Sequence, residues 1–207
     1  MQQPNKRPIV SWSGGVDSTA ILIDLFSKKI PFETIYVKLP NNDIQQEYEL
    51  RARKKLLKKL TKLFGNYHIK DHIITFVGML APANKISSPQ PYVWATSIAF
   101  DIDLTKYSEI IFGYIKEDDF WHTKIKFESL LKSAYELLYL GKIIPKISYP
   151  LEWVSKAEVI SNYYEYDDDV YKLLKFASYC ENIKNNSICG ECKKCKDMKQ
   201  LGKHNDS

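Results

Sequence analysis

Apolar positions along the chain recur at two different spacings, and the spacing changes every ten to twenty residues. Residues 8–12 form a short apolar run with β-branched Ile9 and Val10, which predicts a strand. From Val16 to Lys28, Ile21, Leu22, Leu25 and Phe26 fall at helical intervals. "FETIYVKL" reads as a second strand ending at Pro40. A long basic helix is expected over 44–64, with Leu50, Leu56, Leu57, Leu60 and Leu63 as its buried stripe and Gly65-Asn66 as its stop. "DHIITFVG" predicts a strand near 71–77, followed by a loop containing Pro82, Pro89 and Pro91. An apolar helix is expected over 92–102, a fourth strand over 108–115 and an amphipathic helix over 123–141, ended by glycine. "IPKISYPL" is a short extended piece. "SKAEVISNYY" opens another helix, with Ser155 as N-cap and Glu158 three residues on to close a capping box.

Alternating strands and helices predict an α/β fold, a parallel sheet with helices on both faces. A chain of 207 residues that is 44% hydrophobic fits one well-buried domain. Its composition breaks near Tyr179, so residues 1–178 are expected to form the α/β domain and 179–207 a cysteine-bearing tail packed on it. The net charge of +5 permits contact with phosphates without requiring it. The lysines of "RARKKLLKKLTK" (51–62) lie opposite a leucine stripe and read as a solvated face, with tRNA contact as the alternative. No apolar run approaches the ~20 residues of a membrane span. The polar start "MQQPNKRP" is unlike a signal peptide, so the cytoplasm is the expected compartment.

Chemistry concentrates in two places. The first is Ser13-Gly14-Gly15-Val16-Asp17-Ser18-Thr19, between the first strand and the first helix. Backbone N–H groups at a helix start attract anions, and two glycines let that backbone approach a phosphate closely. Ser13, Ser18 and Thr19 add hydroxyls. Asp17 would repel a phosphate unless a cation lay between them, which points to Mg²⁺. The competing reading is a plain N-cap turn in which Asp17 and Ser18 satisfy first-turn amides. The loop lacks both the Walker lysine and the GxGxxG spacing.

The second place holds all four cysteines, Cys180, Cys189, Cys192 and Cys195, spaced C-x₈-C-x₂-C-x₂-C. Four thiolates joined by short loops suit tetrahedral Zn²⁺ with no open position, hence a structural ion. An iron–sulfur cluster is the alternative.

The loop matches every fixed position of SGGxDS and so resembles the PP-loop ATP pyrophosphatase superfamily. "YPLEWVSKAEVI" (149–160) resembles a downstream segment of that superfamily, which implies that Lys156 reaches the ATP phosphates. Taken with the cysteine tail, the chain resembles the 7-cyano-7-deazaguanine synthase (QueC) family. "GYIKEDDF" is similar to that family's GxNxxD segment, with Gly113 and Asp118 in matching places.

The resemblance implies an adenine-nucleotide alpha-hydrolase-like, Rossmann-like fold, structural zinc, and a homodimer. It implies ATP on residues 13–19, with adenine near Val37 and Lys38, and Asp17 and Lys156 as catalytic groups. It also implies a ligase that adenylates 7-carboxy-7-deazaguanine, admits ammonia to form the amide, and dehydrates the amide to the nitrile. The pocket segments depart from that family: "YVKLPNND", "ISSPQPYVWATS" and "DFWHTKIKFE" stand where it carries YGQRH-like, VPGRN-like and cysteine–arginine elements.

In those segments Phe120 or Trp121 are candidates to stack on a base, and Asp118 or Asp119 to accept from its N–H groups. Trp94 reads as either a core residue or a stacking partner, and His122 as either an exposed side chain or a proton shuttle. Two other functions stay open. One is a PP-loop tRNA-modifying enzyme, a thiolase or lysidine-type ligase. The other is a protein that binds a deazaguanine or nucleotide in a phage or defence setting.

Overall fold

The sheet has five strands, β1 (Arg7–Ser11), β2 (Glu33–Lys38), β3 (Asp71–Thr75), β4 (Tyr107–Phe112) and β5 (Lys146–Ser148). They lie in the order β3-β2-β1-β4-β5, and every neighbouring pair is parallel. The computed structural model of the chain describes residues 6–39, 43–65, 69–76, 89–140, 142–183 and 187–200. The expected prolines at 40 and 82, Asn66 and Gly141 lie outside them.

Each strand of a parallel sheet is covered on both faces, so its side chains alternate between two cores. Val10, Trp12 and Ile111 point to one side, where α1 (Val16–Ser27), α2 (Asp43–Phe64) and α5 (Lys156–Tyr163) pack. Ile9, Ile35, Ile110 and Phe112 point to the other, under α3 (Pro89–Asp101) and α4 (Lys124–Leu138). Strand order reverses at β1, between β2 and β4. In open α/β sheets ligands bind at such a switch point, beyond the carboxyl ends of the strands.

Local signals set several element ends. Ser155 Oγ accepts from Glu158 N at 3.3 Å, and Glu158 Oε2 accepts from Ser155 N at 2.8 Å, so the capping box forms as the spacing predicts. Helix α3 starts at Pro89, three residues before the expected position. Prolines at 89 and 91 sit in its first turn, where a missing N–H costs nothing. Strand β4 stops at Phe112 rather than running to 115. Gly113 then passes so close to α1 that a Cβ there would lie 2.7 Å from Ser18 Cα. The "IPKISYPL" piece contains a full strand, with Ile147 paired to Ile110.

Helix α2 differs from its expected stripe. Leu56 and Leu60 are fully buried, Leu50 and Leu57 are half-buried, and Leu63 is exposed. Phe64 takes the last inward position, stacked on Phe26 with ring centroids 5.4 Å apart. Arg53 takes an earlier one.

After α5 the chain forms α6 (Asp168–Tyr171), a 3-10 turn over Lys172–Phe176, an extended stretch, and α7 (Lys193–Gln200). Cys180, Cys195 and Met198 share the core of α1 and α5. None of the described helices is long and apolar enough to cross a membrane.

Candidate nucleotide loop and cysteine cluster

The loop after β1 is held from beneath. Trp12 is fully buried; its Nε1 donates to Thr19 Oγ1 at 2.9 Å and its backbone N to Ile35 O at 2.8 Å. Thr19 is therefore turned into the core as a brace. Gly14 has φ +81°, a left-handed conformation that favours glycine. A Cβ on Gly14 would also lie 2.9 Å from Arg53 Cγ.

Gly15 is the N-cap of α1 and makes no side-chain cap bond, and Ser13 Oγ accepts from Gly15 N at 3.3 Å. In the N-cap reading Asp17 and Ser18 satisfy first-turn amides; here the Ser18 hydroxyl bonds to none, and both Asp17 oxygens accept from Lys156. Ser18 is 8% exposed, and its hydroxyl has no hydrogen-bond partner. Buried hydroxyls are usually satisfied, so an orphan at a helix N-terminus fits an anionic ligand.

Asp17, in the first turn of α1, faces Lys156, the first residue of α5. Lys156 Nζ donates to Asp17 Oδ1 at 2.5 Å and also to Oδ2. The two side chains are only 21% and 19% exposed, so an acid and a base meet largely away from water beyond the end of β1. Asp118, past the end of β4, accepts from Ile115 N at 2.8 Å. Burial raises its carboxyl above the usual range, and the charge of Asp17 pushes the same way. Burial works against the charge of Lys194, on α7, but Glu181, Asp118 and Asp17 outweigh it and raise its ammonium. Asp17, Asp118, Lys156 and Lys194, drawn from four separate segments, are thus close enough to act on one another electrostatically.

The remaining pocket candidates disperse. Phe120 is buried and stacks on Tyr114 at 3.7 Å, and Trp121 Nε1 donates to Ile115 O at 2.8 Å. Both join an aromatic cluster with Phe112, Phe127 and Tyr149. Trp94 borders that cluster 6.2 Å from the Tyr114 ring, its indole N–H buried without a partner. Asp119 and His122 are exposed. Val37 is a core side chain, and Lys38 closes β2 half-buried.

Sequence reasoning misses Arg53. Its guanidinium is 2% exposed, lies 4.3 Å over the Trp12 ring and 4.9 Å over Tyr36, and donates to Trp12 O and to Asp71. It also misses Ser178, whose N–H donates to Gly14 O at 2.7 Å, and Tyr164, whose hydroxyl donates to Val16 O at 2.7 Å. No local pattern marks these residues, because their partners are distant in sequence.

The four cysteine sulfurs lie within 4.8 Å of one another. Cys180 and Cys189 are 3.6 Å apart, and Cys189 and Cys195 3.9 Å. A tetrahedron with metal–sulfur bonds of about 2.3 Å has edges of roughly 3.8 Å, so the set fits one tetrahedral ion. A four-iron cluster puts several metal atoms between its thiolates and needs them farther apart. Gly190, at φ +71°, turns the chain so that Glu191 N and Cys192 N approach Cys189 Sγ at 3.4 and 3.3 Å. Those two N–H groups draw the Cys189 thiol down to about 6, favouring the thiolate a metal needs. Replacing Cys192 with serine is expected to abolish stoichiometric metal binding and lower the melting temperature. Elemental analysis and calorimetry check this, and unchanged metal content overturns it.

Among solved structures, the chain is similar to the U34-tRNA thiolase NcsA from Methanococcus maripaludis, which carries a [4Fe-4S] cluster. Identity is 16%, the match covers 97% of this chain and 68% of that one, and the TM-score is 0.52. A predicted subunit of tRNA methyltransferase from Methanocaldococcus jannaschii matches at 16% identity, over 97% of this chain and 90% of that one, with a TM-score of 0.48. At such identity the likeness to the thiolase is one of fold. No protein-family model and no curated protein matches the chain.

Proposed function

We propose that this chain is an AMP-forming, ATP-dependent enzyme of the PP-loop type that activates an oxygen on a tRNA base. The observation that carries the reading is the Asp17–Lys156 pair across a glycine-braced helix N-terminus, with the orphaned Ser18 hydroxyl beside it. A nucleotide with its divalent ion brings a cation for Asp17 and phosphate oxygens for Lys156, Ser18 and the free amides of the loop. Asp17, with Asp118 near enough to feel its charge, would hold Mg²⁺, which would neutralise the phosphate charge.

The base oxygen attacks the α-phosphorus, and pyrophosphate leaves with both bridging electrons. A nucleophile then adds at the activated carbon, and AMP departs carrying the original oxygen. Lys156 stabilises the charge that develops on pyrophosphate. A sulfur nucleophile makes the enzyme a thiolase, the reading favoured by the shared fold and the basic helix α2. Four cysteines around one ion leave no open coordination position, so the nucleophile arrives from outside that cluster.

A second reading has its own support. The closed tetrathiolate spacing, and the sequence around Lys156, also suit a ligase that turns 7-carboxy-7-deazaguanine and ammonia into the nitrile, with the ion, zinc, purely structural. One experiment separates the two. The zinc-loaded protein is incubated with Mg²⁺ and α-labelled ATP, together with either bulk tRNA and a sulfide source or the carboxy-deazaguanine and ammonia. AMP and pyrophosphate formed with tRNA, alongside a thionucleoside by mass spectrometry, support the first reading. AMP with amide and nitrile products moves the assignment to the second. ADP as the product sinks both.

A further inference from the structure

The stretch between the 3-10 turn and the cysteine cluster touches the glycine loop directly. Ala177 is extended, with φ −70° and ψ 140°. Ser178, 7% exposed, donates its backbone N–H to Gly14 O at 2.7 Å and pairs with Gly15 as a parallel bridge. The fit is close, because a Cβ on Gly15 would lie 3.2 Å from Ser178 O.

Two residues later comes Cys180, whose carbonyl accepts from Gln45 Nε2 at 3.0 Å. Gln45 also donates to Glu49 at 3.1 Å, and the Glu49 carbonyl lies 3.3 Å from where a Gly14 Cβ would be. The far side of the cluster is tied in as well. Lys194, between Cys192 and Cys195, pairs with Glu181, next to Cys180, at 3.3 Å. The carbonyl of Gly14 and the approach to its Cα are thus both held by groups that connect within a few residues to Cys180.

We propose that the metal ion bound by Cys180, Cys189, Cys192 and Cys195 holds residues 178–180 against the glycine loop, so that metal occupancy and nucleotide affinity are coupled, with Ser178 as the positioning residue. This rests on the reading of the loop as a nucleotide site. Physically, residues 177–180 have one anchor on the ion and one on Gly14. Without the ion, fixing the segment costs conformational entropy each time the loop must take its binding shape. With the ion in place that ordering is already complete. Linkage is reciprocal, so nucleotide must tighten the ion by the same factor that the ion tightens nucleotide.

The test uses the full chain, zinc, and the magnesium complex of AMPPNP, whose imido bridge joins the β- and γ-phosphorus and whose α–β bond is kept intact by leaving out the oxygen-bearing substrate. Calorimetric titration of zinc-loaded and chelator-stripped protein is expected to show about tenfold weaker nucleotide binding in the stripped form. Saturating AMPPNP is expected to strengthen zinc binding by the same factor, read with a competing chromogenic chelator. Equal nucleotide affinity with and without zinc, in protein whose circular dichroism is unchanged, overturns the proposal.

If stripping unfolds the chain, the decision passes to two variants studied with zinc bound. Ser178→Pro deletes the N–H, and the extended Ala177 already has the conformation required before a proline. It should keep one zinc per chain and bind AMPPNP about tenfold more weakly. Ser178→Ala keeps the N–H and should bind like wild type. Wild-type affinity in Ser178→Pro overturns the coupling. A zinc-loaded wild type that binds no AMPPNP is a different outcome, and it overturns the nucleotide reading beneath the proposal.

Discussion

Replacing Asp17 with alanine is expected to lower ATP-to-AMP turnover by about a thousandfold while the chain stays folded. Asp17 sits in the first turn of α1, where the helix dipole favours a negative charge, and both its oxygens accept from Lys156. Those stabilising contributions are modest; a first-turn carboxylate and a partly buried ion pair together are worth about 1–2 kcal/mol. Stability should fall by no more than that. In the proposed nucleotide site the rate would depend on Asp17 differently: without it the loop would have no carboxylate of its own to hold a divalent ion against the phosphates, and Lys156 alone would neutralise a single charge. Asp17→Asn preserves the shape and should lose nearly as much, which separates charge from packing. Turnover within tenfold of wild type, at unchanged Mg²⁺ dependence, would defeat the assignment of this loop.

The largest expected loss of stability comes from Arg53→Ala, at about 3 kcal/mol by chemical denaturation. The guanidinium is 2% exposed and pairs with Asp71, which is 22% exposed. Removing the guanidinium leaves Asp71 with the Thr34 hydroxyl, at 2.7 Å, in place of an ion pair, and takes a buried donor from the Trp12 carbonyl. Contacts with the Trp12 and Tyr36 rings are lost as well. Because Arg53 Cγ lies under Gly14, the variant should also loosen the loop and weaken AMPPNP binding. Arg53→Met fills much of the same space without the charge and should recover part of the loss. A change below 1 kcal/mol in Arg53→Ala would show that the buried pair contributes nothing net.

Arg53 also shows where sequence reading stops. It lies in "RARKKLLKK", where nothing distinguishes it from the exposed Arg51 before it and the solvated lysines after it; what buries it is the position of β3 and Trp12, both far away in the chain. Signals confined to a few residues were legible. The glycine loop, the Ser155–Glu158 capping box and the cysteine spacing each depend on chain geometry over three to fifteen positions. The alternation of strand and helix foretold a parallel sheet with two covered faces, and the structure has one.

Strand β5 was legible only as a short extended piece, since its three residues become a strand of the sheet beside β4. The substrate side was the least legible. Phe120 and Trp121 have the chemistry of a base-stacking pocket and equally that of an aromatic core, and the rings of Tyr114, Phe112 and Tyr149 draw them into the core. Composition cannot separate those two outcomes.

The hydrogen bond from Ser178 to Gly14 has a bearing on how the molecule is made. One partner belongs to the first strand-to-helix turn and is synthesised early; the other follows only after every strand of the sheet has been added. Chains tend to fold from the N-terminus as they are produced, and contacts between distant segments form slowly. The first turn therefore cannot gain this bond until residue 178 has been added. A nascent chain cut short before residue 178 would have all five strands and still lack the bond that closes its glycine loop.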